Sequence, residues 1–517
     1  MSEPVTRRSL LLGAAGGVAA GVTATAAGSP ATAAGGPVPR LVRELEEKIR
    51  AGMAAYGIPG VSYGLRHRGR DHVGGFGVTD VSAPAPVDGD TLFRIASTTK
   101  TFTGTAVMRL VERGRLDLDR TVRSYLPGFR TADEAASRRV TLRQALNHSP
   151  GWLGDSFVDT GDGDDALERY VAAMATLPQL TEPGRVFAYN NAAIGVAGRI
   201  LEVATGRVYE EALRSLVLDP LSLRQSAFAP QGVPGARVAV PHGFDLEGKV
   251  VAVPEALAIP RSLHSFGGLF SSARDQLRWA RFHLGDGSPL LQRRSVRAMR
   301  WRPGPAGVLF VEIDGAGVTW MLRPSAEGPR IVQHGGDLGG QHSGFLFVPE
   351  RDFALTVLTN SEGGPQLLSE LFADDWALSR FAGLHNLPAR PRALTPAELA
   401  PYEGRYAGQQ VGTDGTLVSV ELELVGAGGR LSARAGGQEA LVLPFYRRDR
   451  VLAWTPDGAD TYSRGDFVRD PDGSVGWFRF GGRLYRRNPL GTATALRSAP
   501  AVLVPGTLPY PLSTTPA

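Results

Sequence analysis

Phe93-Arg94-Ile95-Ala96-Ser97-Thr98-Thr99-Lys100-Thr101-Phe102 holds the residue pair from which the rest of the chain is read. Of 56 lysines and arginines, only Lys48, Lys100 and Lys249 are lysine. A lysine at position 100 in so arginine-rich a chain points to chemistry that arginine cannot do. Guanidinium stays protonated in proteins, whereas a desolvated ammonium can lose its proton and act as a general base. Lys48 and Lys249 sit among solvated charges and need no such reason. Behind Ser97, the apolar spacing of Phe102, Ala106, Met108, Leu110 and Val111, closed by Gly114, predicts a helix. Residues three apart share a helix face, so the Lys100 amine reaches the Ser97 hydroxyl, and the helix N-terminus favours negative charge developing there. This is an activated-nucleophile arrangement. On spacing alone, a solvated lysine at a helix start stays open, because SxxK matches arise often by chance.

Two later segments decide between those readings. Tyr189-Asn190-Asn191 (YxN) runs into an apolar helix through Ile194, Val196, Ala197 and Ile200, which puts a phenol and a carboxamide at a loop-to-helix corner. His334-Gly335-Gly336-Asp337 (HxG) leads into an apolar hairpin, Phe345 to Val348 and Phe353 to Leu358, turned at Pro349-Glu350-Arg351-Asp352. With SxxK, YxN and HxG in that order, the chain resembles the penicillin-recognising serine hydrolases: class C β-lactamases, D-alanyl-D-alanine carboxypeptidases, D-aminopeptidases and related esterases. The likeness extends over Ile58-Pro59-Gly60, Asn147-His148-Ser149-Pro150-Gly151, Gly267-Gly268-Leu269-Phe270 and Val357-Leu358-Thr359-Asn360, and covers Arg40 to Leu387.

The resemblance implies roles. Ser97 would attack a carbonyl carbon, with Lys100 and Tyr189 taking its proton and later activating the deacylating water. The backbone N–H groups of Ser97 and Asp337 would form the oxyanion hole. Asn191 would hydrogen-bond Lys100 and the substrate amide. His334, with Gly335 and Gly336, stands where many β-lactamases have lysine; it would orient Tyr189 or meet a substrate carboxylate. Trp152 and Leu153 would sit at the cleft rim. Histidine is neutral for much of the time near pH 7, which leans away from a dedicated β-lactamase and toward the peptidase or esterase branches. A class A β-lactamase is disfavoured, since no ExxLN segment lies between YxN and HxG.

His67, His72, His242, His264, His283 and His385 are dispersed and form no helical HExxH pair, so neither a metal nor another cofactor is expected. His148 reads as a loop-holding residue, and His342 is left open between cleft and solvent. Thr6-Arg7-Arg8-Ser9-Leu10-Leu11, followed by a Gly/Ala/Val stretch and Ala31-Thr32-Ala33, reads as a twin-arginine export signal over 1–33, giving a secreted or envelope location; the bland alternative is an N-terminal anchor. There are no cysteines, hence no disulfide or lipoprotein anchor. The net charge, 56 minus 51, is +5 and spread along the chain, so nucleic acid is not the implied partner, although cell-wall association stays open.

The expected architecture is an α/β hydrolase unit over 38–388 with the β-lactamase/transpeptidase-like fold: an antiparallel sheet flanked by helices, joined to a helical lobe. Strands near Val61 and Val73 should lie beside the Phe345 and Leu355 hairpin, with His334 on an edge strand. After the Ala389-Arg390-Pro391-Arg392 linker the period changes to two, as in Val418-Ser419-Val420-Glu421-Leu422-Glu423-Leu424, with further runs at 441–443, 451–454, 467–469, 475–480 and 484–486 and turns at Pro471-Asp472-Gly473 and Gly481-Gly482. These, with Tyr402-Glu403-Gly404-Arg405-Tyr406, resemble a lipocalin-like antiparallel β-barrel over 394–488. It reads either as a packed or oligomerisation module covering the catalytic unit, or as a lid or ligand cup. A Pro-containing tail, 489–517, would be loosely held. The leading function is an exported serine hydrolase forming an acyl-enzyme on peptide, amide or ester bonds, small D-amino-acid peptides above all; a β-lactamase and a non-catalytic wall-binding or sensor protein are the alternatives.

Overall fold

The computed structural model describes residues 39–488, so the expected export signal and C-terminal tail lie outside the described residues. Helix α1 (Arg40–Tyr56) buries Val42, Leu45 and Ile49 and stops at Gly57, whose φ of 62° gives the left-handed cap that glycine adopts without strain. Strands β1 (Gly60–His67) and β2 (Arg70–Gly77) follow. The sheet is completed by β3 (Gly315–Ala316), β4 (Met321–Arg323), β5 (Ile331–Leu338), β6 (Gln341–Val348) and β7 (Phe353–Thr359). Its order is β3-β4-β5-β6-β7-β1-β2, antiparallel throughout. The first strands thus return to the late hairpin as expected, with Leu65 opposite Leu355 and Leu346 opposite Leu355 on the other side. β6 and β7 are buried at every position, which is why they read as apolar runs rather than as alternating ones.

One correction concerns β5. It is third from the sheet edge, not an edge strand. However, β4 pairs only with Ile331 to Gln333, so the outer edge of β5 becomes free of a strand neighbour from His334 onward. That local edge faces the helical lobe. The lobe's central helix, α2 (Thr99–Glu112), carries buried side chains from Thr99 through Met108, not the single apolar stripe its spacing suggests. Its threonines are accommodated by bonding back to carbonyls, Thr101 Oγ1 to Thr98 O at 2.7 Å and Thr105 Oγ1 to Thr101 O at 2.9 Å. Around it pack α3 (Asn191–Thr205) and α4 (Ala273–Leu284), the latter laying Trp279 on Phe102 with ring centroids 4.0 Å apart.

The C-terminal unit comprises β8 (Gly404–Val411), β9 (Leu417–Ala427), β10 (Arg430–Ala435), β11 (Gln438–Leu443), β12 (Phe445–Arg447), β13 (Arg450–Trp454), β14 (Asp460–Arg469), β15 (Val475–Phe480) and β16 (Arg483–Asn488). Pairing of β11 with β13 closes eight of these strands into a barrel, and β12 lies alongside β13. Tyr406, Leu422, Leu431, Phe445, Phe467 and Phe478 fill the interior, so it is a packed core and not a ligand cup. β10 does alternate, with Leu431, Ala433 and Ala435 between Arg430, Ser432 and Arg434, but its apolar side is mostly alanine and lacks the β-branched bulk that marks a strand in sequence.

The barrel is docked through backbone and buried charge. Phe157 N–H donates to Val411 O at 2.9 Å and Val411 N–H to Asp155 O at 2.8 Å, extending β8 onto the helical lobe. Glu312 accepts from Tyr446 Oη and Arg464 Nη1, both at 2.9 Å. Arg479 is paired with Asp466 and donates to the Phe187 carbonyl at 2.6 Å.

Candidate active site

Ser97 lies on a single 3₁₀ turn, Ala96–Thr98, one step ahead of α2. The turn is entered through Ala96 at φ 43°, a left-handed conformation unusual for a residue with a Cβ and costing on the order of 1 kcal/mol. Gly336 of β5 packs directly on this turn. A Cβ there would lie 2.9 Å from Ser97 N and collide with the Ile95 carbonyl, so only glycine lets the strand come this close. Lys100 is fully buried, with Nζ 2.8 Å from Ser97 Oγ and donating to Phe266 O at 2.8 Å. Burial first, and then the positive charge of Arg483, hold its pKa well below the ordinary lysine value.

Tyr189 precedes Asn190, the N-cap of α3, whose side chain accepts from Ala193 N–H at 2.8 Å. Its phenol hydrogen-bonds Ser97; burial pushes its pKa up, while that bond and Arg483 oppose the rise. His148 holds the loop: its Nδ1 accepts from Asn190 N–H at 2.9 Å, and its ring stacks on Tyr189 at 4.6 Å. His334 lies 6.1 Å from Tyr189, ring to ring, with its Nδ1 2.7 Å from Gly335 O. Burial, and then Lys100, hold its pKa down to about 3, so it is neutral at physiological pH. His342 is buried, with Nδ1 2.8 Å from Asp337 Oδ1.

Ser97, Lys100, Tyr189, His334, Gly335, Gly336 and Asp337 therefore converge on one cleft. Its opposite wall is apolar, made by Leu309, Phe310, Met321, Phe345, Leu368 and Phe372. Three residues sit elsewhere than the sequence implies. Asn191 gives its amide to Asp155 Oδ1 at 2.7 Å, while the Lys100 hydrogen bonds go to Ser97 and Phe266. Trp152 is not at the rim: His148 and Gly151, at φ 58° and 89°, turn the chain inward and bury its indole against Phe129. Leu153 is likewise buried and borders a small crevice behind Tyr189.

Sequence reading missed Arg483, Asp155 and Gly482. The Gly481-Gly482 turn of the β15–β16 hairpin enters the site, where Gly482 O accepts from Tyr189 N–H at 2.8 Å. Arg483 then pairs with Asp155 through Nε at 2.9 Å and Nη2 at 3.1 Å and lines the same cleft as Ser97. Only the Gly-Gly turn was visible beforehand, and nothing in it marks a catalytic neighbour.

Residues 45–379 match the family described as Beta-lactamase, and the chain belongs to that family. Penicillin-binding protein 4 of Amycolatopsis lactamdurans is 33% identical over 370 residues, 70% of this chain and 96% of that protein. The crystal structure of SurE aligns with a TM-score of 0.66 at 27% identity, covering 86% of this chain and 99% of that one. The octameric penicillin-binding protein homologue from Pyrococcus abyssi aligns with a TM-score of 0.55 at 24% identity over 80% of this chain and 98% of that one, a likeness of fold. The protein is thus a penicillin-binding-protein-like member of the β-lactamase family with an added barrel.

Proposed function

We propose that this chain is an exported serine acyl-transfer hydrolase acting on short peptide, amide or ester substrates, with D-amino-acid peptides as the favoured class. The observation that carries the reading is the fully buried Lys100 amine 2.8 Å from Ser97 Oγ. An amine desolvated to this degree is unprotonated enough to accept the hydroxyl proton as Ser97 attacks the carbonyl carbon. Tyr189, bonded to the same hydroxyl, relays that proton to the leaving group. The Ser97 and Asp337 amides hold the oxyanion, each donor worth about 3–4 kcal/mol in comparable sites. Water then attacks the acyl-enzyme with Lys100 and Tyr189 as base. The neutral His334 supplies no fixed charge for a β-lactam carboxylate, which favours peptide or ester substrates. The apolar wall beside Ser97 suits an aliphatic side chain, and SurE, the 27% identical relative, has been solved with D-Leu. The twin-arginine segment supports export, to be checked by the mass of protein recovered outside the cell.

The decisive experiment is intact-mass analysis of the wild type and Ser97→Ala after exposure to an activated ester and to benzylpenicillin. An adduct on the wild type alone is expected, and its lifetime with penicillin separates an inhibited peptidase from a β-lactamase. Lys100→Arg should lower turnover about 10³-fold, since charge is kept but the base is lost. Turnover by Ser97→Ala would refute the mechanism, and peptide binding with no adduct on either protein would support the non-catalytic alternative.

A further inference from the structure

The third motif brings no cation to this site: His334 is neutral, and β5 carries no lysine. Yet two nitrogen-bearing side chains flank Tyr189, and the second of them carries a fixed charge. Lys100 Nζ lies 5.1 Å from the phenol ring centroid, and Arg483 Cζ lies 4.6 Å from it. The second comes from the barrel, at the first position of β16. It is fixed at several points, by two contacts to Asp155 and by donation from Nη1 to Gly481 O at 2.9 Å. Both side chains of the pair are nearly buried, at 13% and 11% exposure, where charge is little screened.

We propose that Arg483 is a positioning residue of the acyl-transfer centre: the barrel supplies, through this guanidinium, the positive charge beside Tyr189 that the third motif lacks, and thereby holds Tyr189 and Lys100 ready to take the Ser97 proton. The inference rests on the acyl-transfer reading above. Its electrostatic sign follows from the groups around the pair. Arg483 disfavours protonated Lys100 and favours ionised Tyr189, Asp155 opposes it on both, and Asp337 adds to the negative side at Tyr189. His148 and His334 are neutral through burial, and Tyr485, which also faces Arg483 and Asp155, is held protonated by its burial. A bidentate guanidinium also restrains the ring laterally, which an ammonium does less well.

The test is the pH profile of kcat/KM with a chromogenic activated ester. Arg483→Gln should move the acid limb up by about one pH unit and lower kcat at neutral pH about ten-fold or more, with KM little changed. Arg483→Lys should return the limb to near its wild-type position at a reduced kcat. Asp155→Asn, which keeps the guanidinium, should move the limb down, and this opposite sign keeps the inference testable should Arg483→Gln misfold. Arg464→Gln, which removes a different docking contact of the barrel, to Glu312 next to the apolar wall and not to Asp155, should leave the limb in place. An unmoved limb in a folded Arg483→Gln, the same upward shift in Arg464→Gln, or an upward shift in Asp155→Asn would overturn it. Failure of the underlying reading shows separately, as turnover by Ser97→Ala in the same assay.

Discussion

Two Gly-Gly pairs bracket this site, and they reach it by different routes. Gly335-Gly336 belongs to the central sheet and presses β5 against the Ser97 turn, where Gly336 leaves no space for a Cβ between itself and Ile95. Gly481-Gly482 belongs to a barrel hairpin and presses against the Tyr189 loop, where an added Cβ on Gly482 would lie 2.7 Å from Leu309 Cδ1 and 3.0 Å from Tyr189 Cβ. The first pair meets rigid backbone. The second meets side chains that can yield, at a position with φ 75°. Ser97, the proposed nucleophile, is therefore set by the unyielding interior of one unit, and Tyr189, its proposed proton-handling partner, by the docked surface of another.

This contrast can be broken from the barrel side first. Arg479, in the strand leading to the Gly481-Gly482 turn, is buried with Asp466 at 4% and 6% side-chain exposure. Arg479→Met leaves that buried carboxylate with only the looser Arg450 contact at 3.7 Å and should cost about 3–5 kcal/mol of stability, read by denaturant unfolding. A loss under 1 kcal/mol would mean that the hairpin is anchored otherwise. On the sheet side, Gly336→Ala should cut kcat about 10²–10³-fold, because displacing β5 from Ser97 disrupts the oxyanion donors. Near-normal kcat there would remove the distinction between the two pairs. Gly482→Ala, strained by its φ but facing movable atoms, should cost about 1–3 kcal/mol and reduce activity less than Gly336→Ala does.

The smallest effect is titrimetric. His148, on the barrel side of Tyr189, His334, on the sheet side, and the core residue His283 are all buried, and burial above all holds their pKa values down. With folded values below the unfolded one, only the unfolded chain takes up protons as pH falls through about 6.5. Stability should therefore decline on acidification, by about 1 kcal/mol per histidine between pH 6.5 and 5.5. His342 runs in the opposite sense. Asp337 and Glu362 raise its pKa against burial, so the stability it adds is present below about 6.5 and lost as pH rises through its folded value. Unfolding of the wild type and His148→Gln at both pH values checks the sign; a wild type more stable at 5.5 would contradict it.

What could be read from the sequence were the parts whose chemistry is local. Ser97 and Lys100 are one helical turn apart, Tyr189 and Asn191 straddle a helix cap, and the apolar runs of β6 and β7 declare burial on both faces. Trp152 was misplaced because a turn with two positive-φ residues reverses which side of the chain meets the core, and side-chain type does not show that reversal. Arg483 and Asp155 were invisible for another reason. An arginine after a Gly-Gly turn resembles any surface arginine until barrel closure brings it beside a phenol far earlier in the chain. β8 escaped because its glycines and glutamines break the apolar pattern, and β10 because its alternating apolar side is one leucine and two alanines, which are weak strand formers.

The hydrogen bond from Tyr189 N–H to Gly482 O also sets a schedule. A nascent chain halted before Val475 already contains the SxxK helix, the YxN loop and the HGG strand, but lacks the hairpin against which the Tyr189 loop rests. The motif-bearing segments are encoded early and the hairpin that supports the Tyr189 loop comes last, so the site takes the form described only when the final barrel strands have been synthesised and docked.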